Sequence, residues 1–397
     1  MMLLGFYLRK LKENNMKYCV QCVMPDTKPD LIFDKEGVCS ACRSYQNRST
    51  VGWVKREIEL KKLLNKYQSK KNSQWDCIIP VSGGKESTYQ VIRMLEYGMH
   101  PLCVTGTTCD LSDIGRKNIQ NIKNLGVDYL EFSPNPIVRR KLNRIGLTEV
   151  GDISWPEHIS IFTIPTRVAV SYDIPLIIWG ENSQNEYGGP KDASNNSKLT
   201  NRRWLEEFGG LLGLRLTDLV GVEGLTERDL APYVYPTEEE LNQVGITGLF
   251  LGNYLPWDGY ANALMAQAHG FTTYSKNVEG SIVNYENLDN YQTGIHDYFK
   301  FLKFGFSRAT DIACLHVRRG RLSRKDAVKI VRLADGKFPW EYLGKPLEKI
   351  LEPLDISVEE FISLCDRFTN KDIFLTDSSG NLIKDNQGNL TKKLYAE

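Results

Sequence analysis

Charge of one sign is the first thing this sequence lacks. It carries 50 Lys and Arg against 49 Asp and Glu, a formal net charge of +1. That balance predicts neither a polyanion binder nor a membrane-surface protein, and leaves only local basic patches open. Long hydrophobic runs are lacking too. No stretch approaches the roughly 18 consecutive apolar residues of a transmembrane helix. The opening MMLLGFYLRKLKENNM runs from apolar to basic, the reverse of a secretory signal, and no small-residue cleavage site follows it. Met16 stands just before the first dense motif, so residues 1–16 read as an optional extension. A cytoplasmic protein is expected.

Disulfide spacing is also missing, although nine cysteines are present. Cys19, Cys22, Cys39 and Cys42 form two Cys-x-x-Cys pairs, while Cys77, Cys103, Cys109, Cys314 and Cys365 are scattered. An odd number in a long chain without a signal argues for metal binding. The interval between the pairs fits a C-x2-C…C-x2-C zinc site. Two tight turns would each present two thiolates and close a tetrahedron with no open position. Structural zinc is therefore expected to fold residues 17–50, a segment too small for its own core. An iron–sulfur cluster is the alternative.

Residues 53–70 repeat apolar residues at helical spacing between charges. From Trp75 the pattern alternates. Strands are expected over 76–81, 102–108, 127–132, 174–180 and 248–254, with helices from the residues after Ser87 to Gly98 and over 113–125, 136–146 and 157–171. Strands alternating with helices of this length imply right-handed βαβ units. The expected fold is α/β, a parallel, doubly wound sheet over 51–290. Residues 185–245, rich in Gly, Asn and charge, read as an insertion over the active-site end. Residues 291–368 read as mainly helical. The tail 369–397 contains DSSGNL and DNQGNL, two turn sequences suited to a small β-hairpin.

The strongest local motif is Ser82-Gly83-Gly84-Lys85-Glu86-Ser87, between a buried strand and a helix. Glycines let backbone N–H groups approach an anion, the helix start adds partial positive charge, and Ser87 can donate a hydroxyl. Lys85 can act as a point charge against phosphate. The spacing is not that of a Walker A loop. A helix capped by Ser82 after a tight turn is the bland reading. Weaker motifs follow. Trp179–Gly189 (WGENSQNEYGG) should lie at the carboxyl edge of the sheet, where Glu181 and Glu186 could hold magnesium or orient a substrate. Tyr285-Glu286-Asn287 precedes a stretch with His296, Asp297, Arg308 and Asp311, equally readable as a helix-packing network. In Pro256-Trp257-Asp258-Gly259 the indole could stack on a ring or simply pack. Arg318, Arg319 and Arg321 suit a diphosphate or a solvated face.

The loop resembles the SGGxDS loop of the PP-loop ATP pyrophosphatases, with Glu86 where Asp is usual. The ordered set YCVQCVMPDTKP, GVCSAC, VSGGKES, WGENSQNEYGG, YPTEEELNQVG, LGNYLPWDG and GIHDYFKFLKFGFSRATD resembles the N-acetyl sugar amidotransferase family over about residues 17 to 340. That resemblance implies conversion of an N-acetyl group on a sugar, nucleotide-linked or nonulosonic, to an acetamidino group in bacterial surface-polysaccharide (LPS/O-antigen or capsule) biosynthesis. ATP, cleaved to AMP and pyrophosphate with Mg2+, would activate the amide oxygen. It places the nucleotide against Ser82, Gly83, Gly84, Lys85, Ser87, Thr88, Thr105 and Gly180. Lys85, Glu86, Glu181 and His296, the last as proton shuttle, are the catalytic candidates. Glu186, Tyr187, Trp257, Arg308 and Asp311 are the substrate-binding candidates.

No Gly-x-Cys-x-Gly elbow and no Cys at the extreme N-terminus is present, so no glutaminase site is evident. Ammonia would come from a partner glutaminase with a cyclase-like subunit. The competing enzyme reading is a PP-loop tRNA-modifying enzyme, a thiolase or lysidine-type ligase. The even charge and the want of a basic stripe speak against it.

Overall fold

The computed structural model describes residues 16–68, 75–180 and 212–397. Its centre is a five-stranded, wholly parallel sheet in the order β3-β2-β1-β4-β5. The strands are β1 (Cys77–Pro80), β2 (Pro101–Gly106), β3 (Asp128–Phe132), β4 (Leu176–Trp179) and β5 (Thr247–Phe250). Each lies inside or within a residue of the expected stretch. Helices at Trp53–Leu64, Lys85–Glu96, Asp113–Asn124, Pro136–Ile145 and Trp155–Ser171 do likewise, give or take a few residues at the ends.

Sequence pattern explains the layering. The central strands β1 and β4 are apolar on both faces, as a sheet covered on both sides requires. Cys77 and Ile79 pack with Leu60, Leu64, Val91 and Met94 on one face. Ile78, Leu102, Val104 and Ile177 pack with Ile164, Val168 and Ala169 on the other. The outer strand β3 carries Asp128 and Glu131 and is the least buried. The order reverses between β1 and β4, so the crevice at their carboxyl ends is the natural ligand position of such a sheet. The Ser82–Ser87 loop follows β1 there, and Gly180 follows β4.

Beyond the sheet, helices Thr293–Phe304 and Val358–Phe368 build a second core around Phe299, Phe301, Leu302 and Phe361, while helices Arg308–Arg318 and Arg324–Ala334 contribute to a third. The Cys19–Cys42 segment packs on Phe306, Ala313, Cys314, Ala327 and Val331 of that helical part. The tail does not form a continuous ladder among the described residues. Single antiparallel bridges join Thr376 to Leu382, Lys384 to Leu390 and Phe374 to Lys392, so each expected turn closes its own short loop. Glu181, Glu186 and Tyr187, and residues 185–211 of the expected 185–245 insertion, lie outside the described residues. From 212 onward that stretch is short helical turns. Among the described residues no helix is long and apolar enough to cross a membrane.

The tail is tied down by a buried lysine. Lys392 Nζ donates to the Gly305 carbonyl (3.1 Å) and reaches the Tyr18 hydroxyl (3.2 Å). Burial pushes its pKa down to about 8, against a raising effect of Asp335. The unfolded chain therefore keeps this proton to higher pH than the folded one, and stability should rise as pH climbs through that window. Between about pH 8 and about pH 10, the wild-type chain should gain on Lys392→Met by up to about 3 kcal/mol. Denaturant midpoints of both chains at the two pH values check this.

Candidate active site

The loop after β1 owes its shape to Gly83. Gly83 has φ +83°, and a Cβ there would lie 2.8 Å from the Gly115 carbonyl oxygen. Gly84 is the N-cap of helix Lys85–Glu96, not Ser82, and offers no side-chain cap. A helix's first turn leaves N–H groups without an intrahelical acceptor. Here the first helical bond runs from Thr88 N–H to the Gly84 carbonyl, 3.1 Å. Ser87 and Thr88 hydroxyls also turn back to that carbonyl, at 3.0 and 2.9 Å. Their oxygens can still accept, and rotation would free their protons for an anion.

Lys85 is the centre of the arrangement. Its side chain is 2% exposed, and Nζ lies 2.5 Å from Glu86 Oε1 and 2.6 Å from Glu286 Oε1. Burial alone would lower its pKa, but Glu286 and Glu86 more than offset that and hold it above the ordinary lysine value. The ammonium therefore stays charged at ordinary pH. The Glu86 carboxylate, one methylene longer than the usual Asp, reaches the lysine. Gly259 lies on the other side, where a Cβ would come 3.5 Å from both Lys85 Cε and Glu86 Oε1.

Glu286 reaches the loop because its segment is strapped to helix Asp113–Asn124. Ser112 N–H donates to the Asp289 carbonyl (2.9 Å), and the Ser112 hydroxyl donates to that of Leu288. A Cβ on Gly115 would sit 2.7 Å from Asp289 Cα, so only glycine permits this approach. Ser82 hydrogen-bonds Asp289, whose carboxyl is raised chiefly by burial, with Ser82 and Lys85 acting the other way.

Gly180 and Trp257 are neighbours. A Cβ on Gly180 would meet the Trp257 ring at 3.1 Å and Gln90 Nε2 at 2.7 Å. Trp257 packs edge-on against Tyr89, with ring centroids 5.3 Å apart. Asp258 caps helix Gly259–Ala268 by accepting from Tyr260 N–H, and is gripped by Arg321 at 2.6 and 2.9 Å. Arg319 donates to the Trp257 carbonyl at 2.9 Å. The three arginines, Trp257 and Trp53 border a cavity of about 670 Å³ beside the cysteine segment; the Ser82–Ser87 loop does not line it.

The remaining expected residues divide. The Thr105 hydroxyl donates to the Val81 carbonyl at 2.5 Å, tying the end of β2 to that of β1. Arg308 grips Asp297 with two bonds of 3.2 Å, and Asn287 Nδ2 donates to the same carboxylate at 3.1 Å. Asp311 is buried and paired with Lys300. These pairs hold the helices on which they lie. His296 Nδ1 is 2.8 Å from Asp152 Oδ1, while His158 Nδ1 is 3.1 Å from Asp152 Oδ2. Burial works against the charge on Asp152, but His296 and His158 hold its carboxyl well below the usual range.

Four sulfurs form the second cluster. Cys19 and Cys42 Sγ are 4.0 Å apart, and Cys22 and Cys39 Sγ 3.8 Å. A tetrahedron of thiolates about 2.3 Å from zinc has edges of about 3.8 Å. The donors therefore fit zinc, which Cys19, Cys22, Cys39 and Cys42 would hold. Backbone N–H groups of Cys22 and Cys39 point at Cys19 Sγ (3.5 and 3.3 Å), and Arg318 Nε at Cys42 Sγ (3.5 Å). Such donors favour thiolate over thiol.

Residues 270–386 match the family described as LPS biosynthesis protein WbpG-like, C-terminal domain. The matched stretch contains Glu286, Asp289, His296, Arg308 and Asp311, but neither the Ser82–Ser87 loop nor the four clustered cysteines. No curated protein matches the chain. Among solved structures, NMN synthetase from Francisella tularensis is similar at 14% identity and a TM-score of 0.27, covering 49% of this chain and 93% of that one. A likeness that distant says nothing further about this molecule.

Sequence reasoning gives no role to Glu286, although it singles out the tripeptide that holds it. Asp289, Asp152 and His158 escape it altogether. A lone acid in a loop carries no periodic signal; the glycines that let these segments approach, Gly115 and Gly146, are the only trace.

Breaking one side of the lysine's pairing leaves a buried charge with a single carboxylate in place of two. Glu286→Ala should cost roughly 3 kcal/mol, and the more exposed Glu86→Ala less. Lys85→Met combined with Glu286→Gln should be more stable than either single variant, a coupling readable in a double-mutant cycle of unfolding free energies. Chelation, or Cys22→Ser, should lower the melting temperature and abolish the thiolate-to-cobalt charge-transfer band of the cobalt-loaded chain.

Proposed function

We propose that this chain is an ATP-using enzyme of surface-polysaccharide biosynthesis, and specifically an amidotransferase that turns the acetamido group of a sugar into an acetamidino group. One observation carries the first part: a buried, doubly paired Lys85 behind the backbone of Gly83 and Gly84, at the crevice between β1 and β4. The family match over 270–386 supports the pathway, since that family is one of LPS biosynthesis proteins.

An amide carbonyl is a poor electrophile because its nitrogen donates into it. Attack of the amide oxygen on the α-phosphorus of ATP, with loss of pyrophosphate, turns that oxygen into a leaving group. Ammonia then adds to the carbon and AMP departs. The chain's task is to hold phosphate and amide in line and to neutralise developing charge. Backbone amides of the loop, Lys85 and the Ser87 and Thr88 hydroxyls serve the phosphates; Glu86 and Glu286 fix the lysine. Magnesium would supply further charge neutralisation on the polyphosphate. Trp257, beside Gly180, would border the sugar. Glu181, Glu186 and Tyr187 would act from the loop after β4. Ammonia would come from a cytoplasmic glutaminase partner.

Incubation of the purified chain with ATP, ammonium and candidate N-acetylated nucleotide sugars should give a product about one dalton lighter, the mass change when NH replaces O, together with pyrophosphate and AMP. Glutamine should not replace ammonium unless a partner is added. Lys85→Met should lower turnover by at least about 100-fold, the scale of losing one charge-stabilising group. Pyrophosphate release without any lighter sugar would leave ATP use standing and remove the amidotransferase assignment.

A further inference from the structure

We propose that Asp152, His158 and His296 bind a divalent first-row transition-metal ion, at a site separate from the four cysteines. Two imidazoles and a carboxylate are a donor set suited to zinc, iron(II) or manganese(II). One donor atom from each residue lies within 4.8 Å of the other two. The two nitrogen–oxygen separations, 2.8 and 3.1 Å, are close to the roughly 3.0–3.4 Å edges of a polyhedron with bonds of about 2.1 Å.

Two of the donors, Asp152 and His158, lie six residues apart, and the third comes from a distant helix. Residues Gly146–Val150 form a π-helical turn, which often marks a functional site, and Gly151 then reverses direction at φ +63°. A Cβ on Gly146 would lie 2.5 Å from the Asp152 carbonyl oxygen, so glycine is what lets Asp152 fold back. His158 projects from the start of helix Trp155–Ser171, and His296 from the start of helix Thr293–Phe304.

His158 supplies an independent pointer. Its Nδ1 is buried and pairs with Asp152 Oδ2 at 3.1 Å without the geometry of a well-formed hydrogen bond. The nitrogen and oxygen are close without being aligned for a proton between them. A cation placed among the three donors would satisfy both. Ser154 N–H donates to Asp152 Oδ1 at 3.0 Å, the kind of outer contact that orients a ligating carboxylate. Lys303 donates to the carbonyls of Val150 and Gly151, at 2.7 and 2.9 Å, rather than to the Asp152 carboxylate.

The histidine side chains are 28% and 26% exposed, so solvent reaches the imidazoles. Three protein ligands would leave a coordination place on the cation for water or a substrate oxygen. Helix Trp155–Ser171 leads into β4 and so runs against the strands, which sets its start at their carboxyl edge, the edge of the Ser82–Ser87 loop. Asp297, next to His296, is tied through Asn287 to the neighbour of Glu286. On this assignment His296 is a ligand, not the proton shuttle expected from sequence.

Metal-free full-length chain titrated with cobalt(II) should take up two ions per chain. One gives the thiolate charge-transfer band, and the second gives ligand-field absorption without that band. Asp152→Asn, His158→Ala and His296→Ala should each weaken the second ion by more than about 100-fold, the upper end of what outer contacts alone cost. The thiolate band and the circular dichroism should persist. Uptake of a single ion by the wild-type chain, insensitive to all three variants, would overturn the proposal and leave Asp152 as a carboxylate that merely holds two imidazoles. The readout is metal stoichiometry, so it stands or falls apart from any sugar chemistry.

Discussion

A lysine ammonium with 2% of its surface exposed governs this structure. Removing such a charge from water costs several kcal/mol even after relaxation, and only close carboxylates with good geometry recover it. Lys85 has one from its own helix, Glu86, and one from a segment two hundred residues away, Glu286. The first is local and needs nothing else. The second obliges the chain to bring its later half against the sheet edge.

Much of the architecture can be read as meeting that obligation. The 286–290 segment lies on helix Asp113–Asn124 through the Ser112 bonds and the bare Cα of Gly115. Asn118 pairs both ways with the backbone of Thr272, at 2.9 and 2.7 Å, and Asn121 donates to the His269 carbonyl at 3.0 Å. The same helix backs Gly83, whose added Cβ would strike the Gly115 carbonyl. One helix face therefore shapes the Gly83–Gly84 turn and delivers the remote carboxylate. A side chain at position 115 would disturb both at once.

What the sequence makes legible follows from how far each interaction reaches. Strand and helix positions depend on periodicity within ten or so residues, and the apolar runs 77–81 and 174–179 declare buried parallel strands without help. The two cysteine pairs and the Gly-Gly-Lys turn are local signatures with fixed geometry, so the four sulfurs meet as their spacing implies. Glu286, Asp289 and the Asp152–His158–His296 cluster depend on contacts across 100 residues or more. In sequence they are ordinary polar residues in loops and helix starts. The tail shows a different limit. Its two turn sequences form, but the segments flanking them are too short and polar to build more than single bridges.

The cysteine segment gains a mechanical meaning from where it sits. Its four sulfurs form a closed set with no room for substrate chemistry, yet Cys42 accepts from Arg318 at the end of helix Arg308–Arg318. The next residue, Arg319, holds the Trp257 carbonyl, and Arg321 holds Asp258. Asp258 in turn caps the helix whose first residue, Gly259, lies against Lys85 and Glu86. At its opposite end the arginine-bearing helix anchors Asp297, beside His296. A metal clamping the four thiolates would thus fix a single rod that touches both polar centres. Loosening the sulfur cluster should therefore be felt as misplacement of a lysine and a histidine that it never contacts.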